Sequence, residues 1–374
     1  MNNSLKTAQR NSNVELLRII AMLMIVAYHY AIYGFYADDL LYSRSKYLTD
    51  FLSSYGEAGV DIFVLISGYY MCRQEFSLKR LLVFLSQVWF YCLLALGLYC
   101  LFPWHEEPLS RGELLRSVFP ICENHYWFAS YYVLLMLLSP FLNLFAERAG
   151  RTQLRAVILL LMAVYTVLPT FFRVFTFYSV PGRLILLYFM AAYLRLYRCG
   201  SDERPKPHLY RALFWGCCIP VLSWVCDLAG QRTGNASLIS FNEAFSTGSS
   251  FFGYMFALEL FQYFRLREST YRPWINWAAG LTFGVYLFHE NYFFRDMWQR
   301  IFHTAQYAGS DLLIIHALCS IAAVYVFASG LDLLRKKSLG ALWERLVSKY
   351  SPALEKKLSS VIHTVCERSG ASGR

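Results

Sequence analysis

The chain has 374 residues, of which 57% are hydrophobic and only 16% are charged, and its mean hydropathy is +0.35. Soluble domains carry about a quarter charged residues, so this balance speaks against a soluble protein and for a polytopic membrane protein. The net charge of +10 does not indicate a nucleic-acid partner, because the basic residues recur in short clusters between apolar runs and form no single patch or tail.

The first apolar run, Val14 to Tyr33, contains Arg18 and His29. It lacks a small-residue cleavage site and is expected to stay as the first span rather than leave as a signal peptide. Eleven helical steps rotate roughly 1100°, about 20° past three turns, so both side chains leave one face of a helix. The rise between them is about 16 Å, half of a hydrocarbon core of roughly 30 Å. Ionisable residues at such depth are costly and mark a functional site by default. Glu15, three residues before Arg18, is placed to pair with it on the same face.

The second run, roughly 54–72, reads Gly59-Val60-Asp61-Ile62-Phe63-Val64-Leu65-Ile66-Ser67-Gly68-Tyr69. Asp61 lies near its outer end. Ser67 and Gly68 would admit a neighbouring helix backbone or a slim ligand. Arg73, Lys79 and Arg80 follow where this span leaves and the third, roughly 80–102, enters the same face. Together with Arg18 they form a basic cluster suited to a polyanion such as a nucleotide phosphate, although Lys79 and Arg80 are equally explained as positive-inside anchors.

Further spans are expected at roughly 126–146, 155–172, 182–198, 210–229, 243–263, 275–294 and 312–334, ten in all. His125 and Trp127 open the fourth. His289 lies late in the ninth, at a depth resembling that of His29, and His316 in the last is free to bond a backbone carbonyl. Lys and Arg favour the face shared by the two termini, so both ends are expected in the cytoplasm. The reading is an all-α, polytopic bundle of about ten helices, with tails at 1–13 and 335–374 flanking a membrane domain at 14–334. The stretch 339–362 is expected to lie on the membrane surface. Cys92, Cys100, Cys217, Cys218, Cys226 and Cys319 fall within apolar runs and form no C-x-x-C pair, so they read as packing residues. No H-E-x-x-H, Walker or G-x-S-x-G pattern occurs, and no metal is expected.

Arg18-x10-His29, the Val60 to Tyr69 segment, Tyr126-Trp127-Phe128 running on to Leu138-Ser139-Pro140-Phe141, and Tyr286-Leu287-Phe288-His289 together resemble the membrane-bound acyltransferase 3 family. The likeness runs from about Glu15 to Leu334. It implies about ten spans, acetyl-CoA as donor, and O-acylation of a surface or lipid-linked glycan at a bacterial plasma membrane. The chain looks like the stand-alone form, without a fused hydrolase-like domain. In that light His29 and Arg18 are expected to be catalytic, and Arg18, Arg73, Lys79, Arg80, Ser67 and Gly68 to hold the donor. Asp61, His125, Trp127 and His289 are expected to meet the acceptor. Trp104, Glu106, Glu107, Glu113 and Glu123, with Tyr292, Phe293 and Phe294, would offer surfaces for sugar rings and hydroxyls. The rival reading is a transporter or flippase for an anionic or glycolipid substrate, which ten spans with buried ionisable residues also fit.

Overall fold

The computed structural model describes residues 10–35, 44–102, 108–198 and 203–371. Among them every regular element is helical. In chain order these are α1 (Ser12–Gly34), α2 (Arg44–Ser53), α3 (Gly56–Met71), α4 (Leu78–Leu101), α5 (Arg111–Val118), α6 (Trp127–Arg148) and α7 (Gly150–Met162). They continue with α8 (Leu168–Phe172), α9 (Val180–Tyr197), α10 (Pro205–Thr233), α11 (Ala236–Phe241) and α12 (Phe251–Leu266). The last are α13 (Pro273–Ala279), α14 (Thr282–His289), α15 (Met297–Arg300), α16 (Leu313–Arg335) and α17 (Ala341–Ala371).

Six of the described helical stretches are long and apolar enough to cross a membrane: Ser12–Gly34, Leu78–Leu101, Trp127–Arg148, Gly150–Phe172, Pro205–Thr233 and Leu313–Lys356. The protein is therefore a multi-pass membrane protein. The other runs expected as spans have shorter helical counterparts in α3, α9 and α12. The expected ninth span is not one helix. It breaks between α13 and α14 at Gly280, whose carbonyl accepts a hydrogen bond from Lys336 Nζ.

Helix α1 is the hub, packing against α3, α13, α14 and α16. Its buried face carries Leu17, Ala21, Val26 and Tyr30. Helix α3 lies against α1 on one side and α9 on the other, and two glycines explain how. A Cβ on Gly59 would stand 2.7 Å from the Ala21 carbonyl oxygen of α1, and one on Gly68 would stand 3.1 Å from Tyr188 Cα of α9. Nine residues separate them, a net half-turn at about 100° per residue, so they open opposite faces of α3 to close approach.

The C-terminal segment is a helix joined to α16 through a π-helical turn, Lys336–Gly340, and it packs along α4. Glu355 Oε1 accepts the backbone N–H of Leu78 at 2.8 Å, placing a carboxylate at the helix N-terminus, where the dipole favours it.

Candidate functional site

The last turns of α1 and α14 bring His29 and His289 together, 260 residues apart in sequence. His29 Nδ1 lies 2.8 Å from His289 Nε2, and both rings are buried. The proton positions follow from the partners. His289 Nδ1 lies 2.6 Å from the Val285 carbonyl oxygen, which can only accept, so Nδ1 is the protonated nitrogen and Nε2 the acceptor. His29 Nδ1 must then donate to His289 Nε2, which leaves His29 Nε2 as its basic nitrogen. That atom faces Glu290 Oε2 at 3.2 Å.

Glu290 is itself held from three sides. Arg295 pairs with its carboxylate through Nη2 and donates from Nε to its backbone carbonyl at 3.2 Å, and the Tyr33 hydroxyl lies 3.3 Å from both carboxylate oxygens. Tyr33, one turn after His29 on α1, stacks on the His29 ring with centroids 5.2 Å apart, and the Arg295 guanidinium caps the Tyr33 ring at 5.1 Å. Tyr126 fixes the far side: its hydroxyl donates to the Leu287 carbonyl at 2.7 Å and accepts from Asn291 Nδ2 at 2.6 Å. A histidine with a set tautomer beside an anchored carboxylate can take up and return a proton.

At the opposite end of α1, Arg18 pairs with Glu15, as the spacing indicated. Arg18 also lines a cavity of about 380 Å³ with Arg10, Ser67, Arg80, Phe84 and Tyr132. From that cavity a series of aromatic rings leads toward the histidines. Phe84 touches Tyr132 and stacks on Phe283 at 4.6 Å. Tyr132 stacks on Phe128 at 5.6 Å. Phe128 and Phe283 both reach Tyr286, whose ring lies 6.3 Å from that of His289.

The acyltransferase domain that defines the acyltransferase 3 family matches residues 11–331, nearly the whole chain, from the start of α1 to near the end of α16. The chain belongs to the acyltransferase 3 family. It is an acyltransferase, and the transporter reading gains no support. No curated protein and no solved structure matches it.

Within this acyltransferase the residues singled out from sequence fall into separate places. His29 and His289 meet, and Arg18, Ser67 and Arg80 share one cavity. Arg73 and Lys79 are exposed and lie outside that cavity's lining. Gly68 faces α9 instead of the cavity, so the Ser-Gly pair divides between a cavity-lining and a packing position. Asp61, expected to meet the acceptor, is buried and taken up by Arg183 of α9, whose Nε and Nη2 donate to Asp61 Oδ1 at 2.9 and 2.6 Å. Arg183 also pairs with Glu57.

His125 is buried in the turn before α6. Burial, with Arg295 and Arg116 nearby, pushes its imidazole down to about 4, so it is neutral near pH 7. Trp127 is half-buried against Phe128 and the core, and touches neither histidine. Trp104, Glu106 and Glu107 lie outside the described residues. Glu113 caps α5 by accepting the Ser110 N–H at 2.7 Å. Phe293 and Phe294 pack into a small apolar cluster with Tyr99. His316 bonds the Phe302 carbonyl at 2.9 Å, the packing role foreseen for it.

Sequence reasoning missed Glu290, Arg295, Tyr33, Arg10 and Arg183. Glu290 carried a signal, being a carboxylate directly after the histidine of a nearly apolar run. Arg183 carried the opposite one, since it reads as an ordinary loop cation at the edge of a span.

Proposed function

We propose that this protein transfers an acetyl group from cytosolic acetyl-CoA to a hydroxyl of a surface or lipid-linked glycan in a bacterial plasma membrane. The observation that carries the reading is the directed hydrogen-bond chain from Val285 through His289 to His29, which leaves His29 Nε2 basic and facing Glu290. Acyl transfer needs a base for the acceptor's proton and a stable home for the charge that results. The acceptor oxygen attacks the thioester carbonyl carbon while its proton passes to His29 Nε2. The Glu290 carboxylate, anchored by Arg295 and Tyr33, steadies the imidazolium. On collapse the carbon–sulfur bond breaks, and the leaving thiolate takes that proton. His289 positions His29 and does not itself meet the substrates.

The donor is assigned to the cavity at the Arg18 end. Arg10, Arg18 and Arg80 suit phosphates, Arg by its bidentate fork. The row of rings from Phe84 to Tyr286 offers an apolar track for the pantetheine arm over the roughly 16 Å that separate Arg18 from His29 along α1.

The test is acetyl transfer to the glycan by the purified protein. His29→Ala and Glu290→Gln are each expected to lower the rate by about 100- to 10,000-fold, the usual worth of a general base, with the protein still folded and inserted. Wild-type rates in His29→Ala would remove the proposal.

A further inference from the structure

A second cavity, of about 490 Å³, opens at the His29 end between α2, the start of α3 and the segment that leads into α12. Its lining is polar and includes Tyr28, Lys46, Asp50, Glu57, Glu243 and Thr247. Tyr28 precedes His29, and their ring centroids lie 5.2 Å apart. Tyr28 also stands within electrostatic reach of both Glu57 of the cavity and Glu290 of the histidine site. Gly56 makes this possible, since a Cβ there would collide with the Tyr28 ring. The cavity is thus next door to the proposed base, on the side away from Arg18.

The floor of the cavity is built. Arg183 is buried, and its guanidinium joins Glu57 to Asp61. Gly248 lies directly over that ion pair, with no room for a side chain. On the α2 side Lys46 Nζ bridges Asp50 at 2.9 Å and Asp227 at 3.0 Å, and the buried Asp227 Oδ1 has no hydrogen-bond partner. Among the described residues the lining itself thus carries three carboxylates (Asp50, Glu57 and Glu243) against one ammonium (Lys46), with the Arg183–Asp61 pair behind Glu57 and Asp227 behind Lys46. Carboxylates and hydroxyls in a polar cavity are acceptors for sugar hydroxyls. Their excess negative charge repels another anion at short range, where screening is weak. The donor cavity at the other end of α1 is instead lined by arginines.

We infer that this cavity holds the acceptor sugar and that its charge selects neutral or amino sugars over uronic acids and other anionic ones. The inference rests on the acyl-transfer reading and adds to it the place and the charge class of the acceptor. It moves the acceptor from the surroundings of His125 to the α2–α3 side of His29, and it makes Asp61 a positioning residue that acts through Arg183 on Glu57.

The experiment measures acetyl transfer from labelled acetyl-CoA by the full-length protein in lipid nanodiscs. The acceptors are the methyl glycosides of glucose, glucosamine and glucuronic acid. Wild type is expected to prefer the neutral or amino sugar to the glucuronide by tenfold or more in kcat/KM. Glu243→Arg at the exposed rim, and Thr247→Arg as a second variant beside it, are expected to shrink that ratio several-fold, mainly through KM.

Equal use of the glucuronide by wild type overturns the inference, and so does an unchanged ratio in both variants. Hydrolysis of acetyl-CoA with transfer to neither glucose nor glucosamine also overturns it, while leaving acyl-transfer chemistry standing. If wild type neither hydrolyses acetyl-CoA nor acetylates any of the three, the acyl-transfer reading fails and takes the inference with it.

Discussion

Two buried polar clusters lie near the same end of the bundle, and they differ in how completely their partners close. Around Arg183 all three guanidinium nitrogens are used: Nε and Nη2 donate to Asp61, Nη1 to the Glu57 carboxylate and Nη2 again to the Glu57 backbone. Around His29 the chain of bonds ends on a nitrogen lone pair and a carboxylate oxygen 3.2 Å apart, between which a proton can reside on either side. The first arrangement resists change, because removing one member strands a charge in a dry place. The second is the one that changes its protonation in the proposed reaction. Both are buried and both join an arginine to carboxylate, so neither feature by itself separates a structural cluster from a chemical one. The open end does.

The contrast breaks most visibly at Arg183. Arg183→Ala leaves Asp61 and Glu57 without their counter-ion and is expected to destabilise the protein by about 3–5 kcal/mol, seen as lost folded yield and a lowered thermal midpoint. Replacing both sides of the pair, Arg183→Met with Asp61→Leu, should recover part of that loss. His29→Ala should spare the thermal midpoint and lower transfer by the about 100- to 10,000-fold expected for a general base. An Arg183→Ala protein with wild-type stability would mean that the matched cluster is no brace.

Arg18 stands between the two kinds. It has a partner in Glu15, yet the side chain keeps 23% of its surface exposed, on a cavity that it lines with two other arginines. A half-open pair of this sort is expected to serve a visiting anion more than the fold. Arg18→Ala should weaken CoA binding about 10- to 100-fold, as loss of a charge-assisted hydrogen bond implies, with little change in thermal midpoint. Arg18→Lys keeps the charge and loses the fork, so it should fall between. Isothermal titration with CoA reads both. Wild-type affinity in Arg18→Ala would return Arg18 to a structural role.

Depth along the membrane was legible in the sequence, because hydropathy and helical rotation determine it. His29 and His289 lie at matching depth in the hydropathy pattern, and the Glu15–Arg18 pair follows from spacing alone. Lateral neighbours were not legible, since nothing in a run of apolar residues says which other run it adjoins. Arg183 meets Asp61 across 122 positions, and at the very start of its apolar run it reads as an ordinary boundary cation. Glu290 is inconspicuous for a related reason: it follows its histidine in sequence, but it faces His29 on another helix. The break at Gly280 was hidden as well, because two short apolar helices in series have the same hydropathy as one long one.

The smallest effects test the contrast within two adjacent residues. Ser67 accepts a hydrogen bond from the Tyr132 hydroxyl at 3.1 Å and lines the Arg18 cavity, whereas Gly68 is pressed on α9, where an added Cβ would stand 3.1 Å from Tyr188 Cα and 3.2 Å from Ala191 Cβ. One neighbour is backbone, which gives way by a few tenths of an ångström only if the helices part. Gly68→Ala is therefore expected to cost about 1 kcal/mol of stability, at the low end for overpacking, and to leave CoA affinity within twofold of wild type. Ser67→Ala should do the reverse, lowering CoA affinity a few-fold by disturbing Tyr132 while the thermal midpoint holds. Thermal midpoints and CoA titrations on the two variants decide the matter. If Gly68→Ala loses CoA affinity with no change in midpoint, α3 turns both residues toward the donor, and the division between packing face and ligand face at this position is wrong.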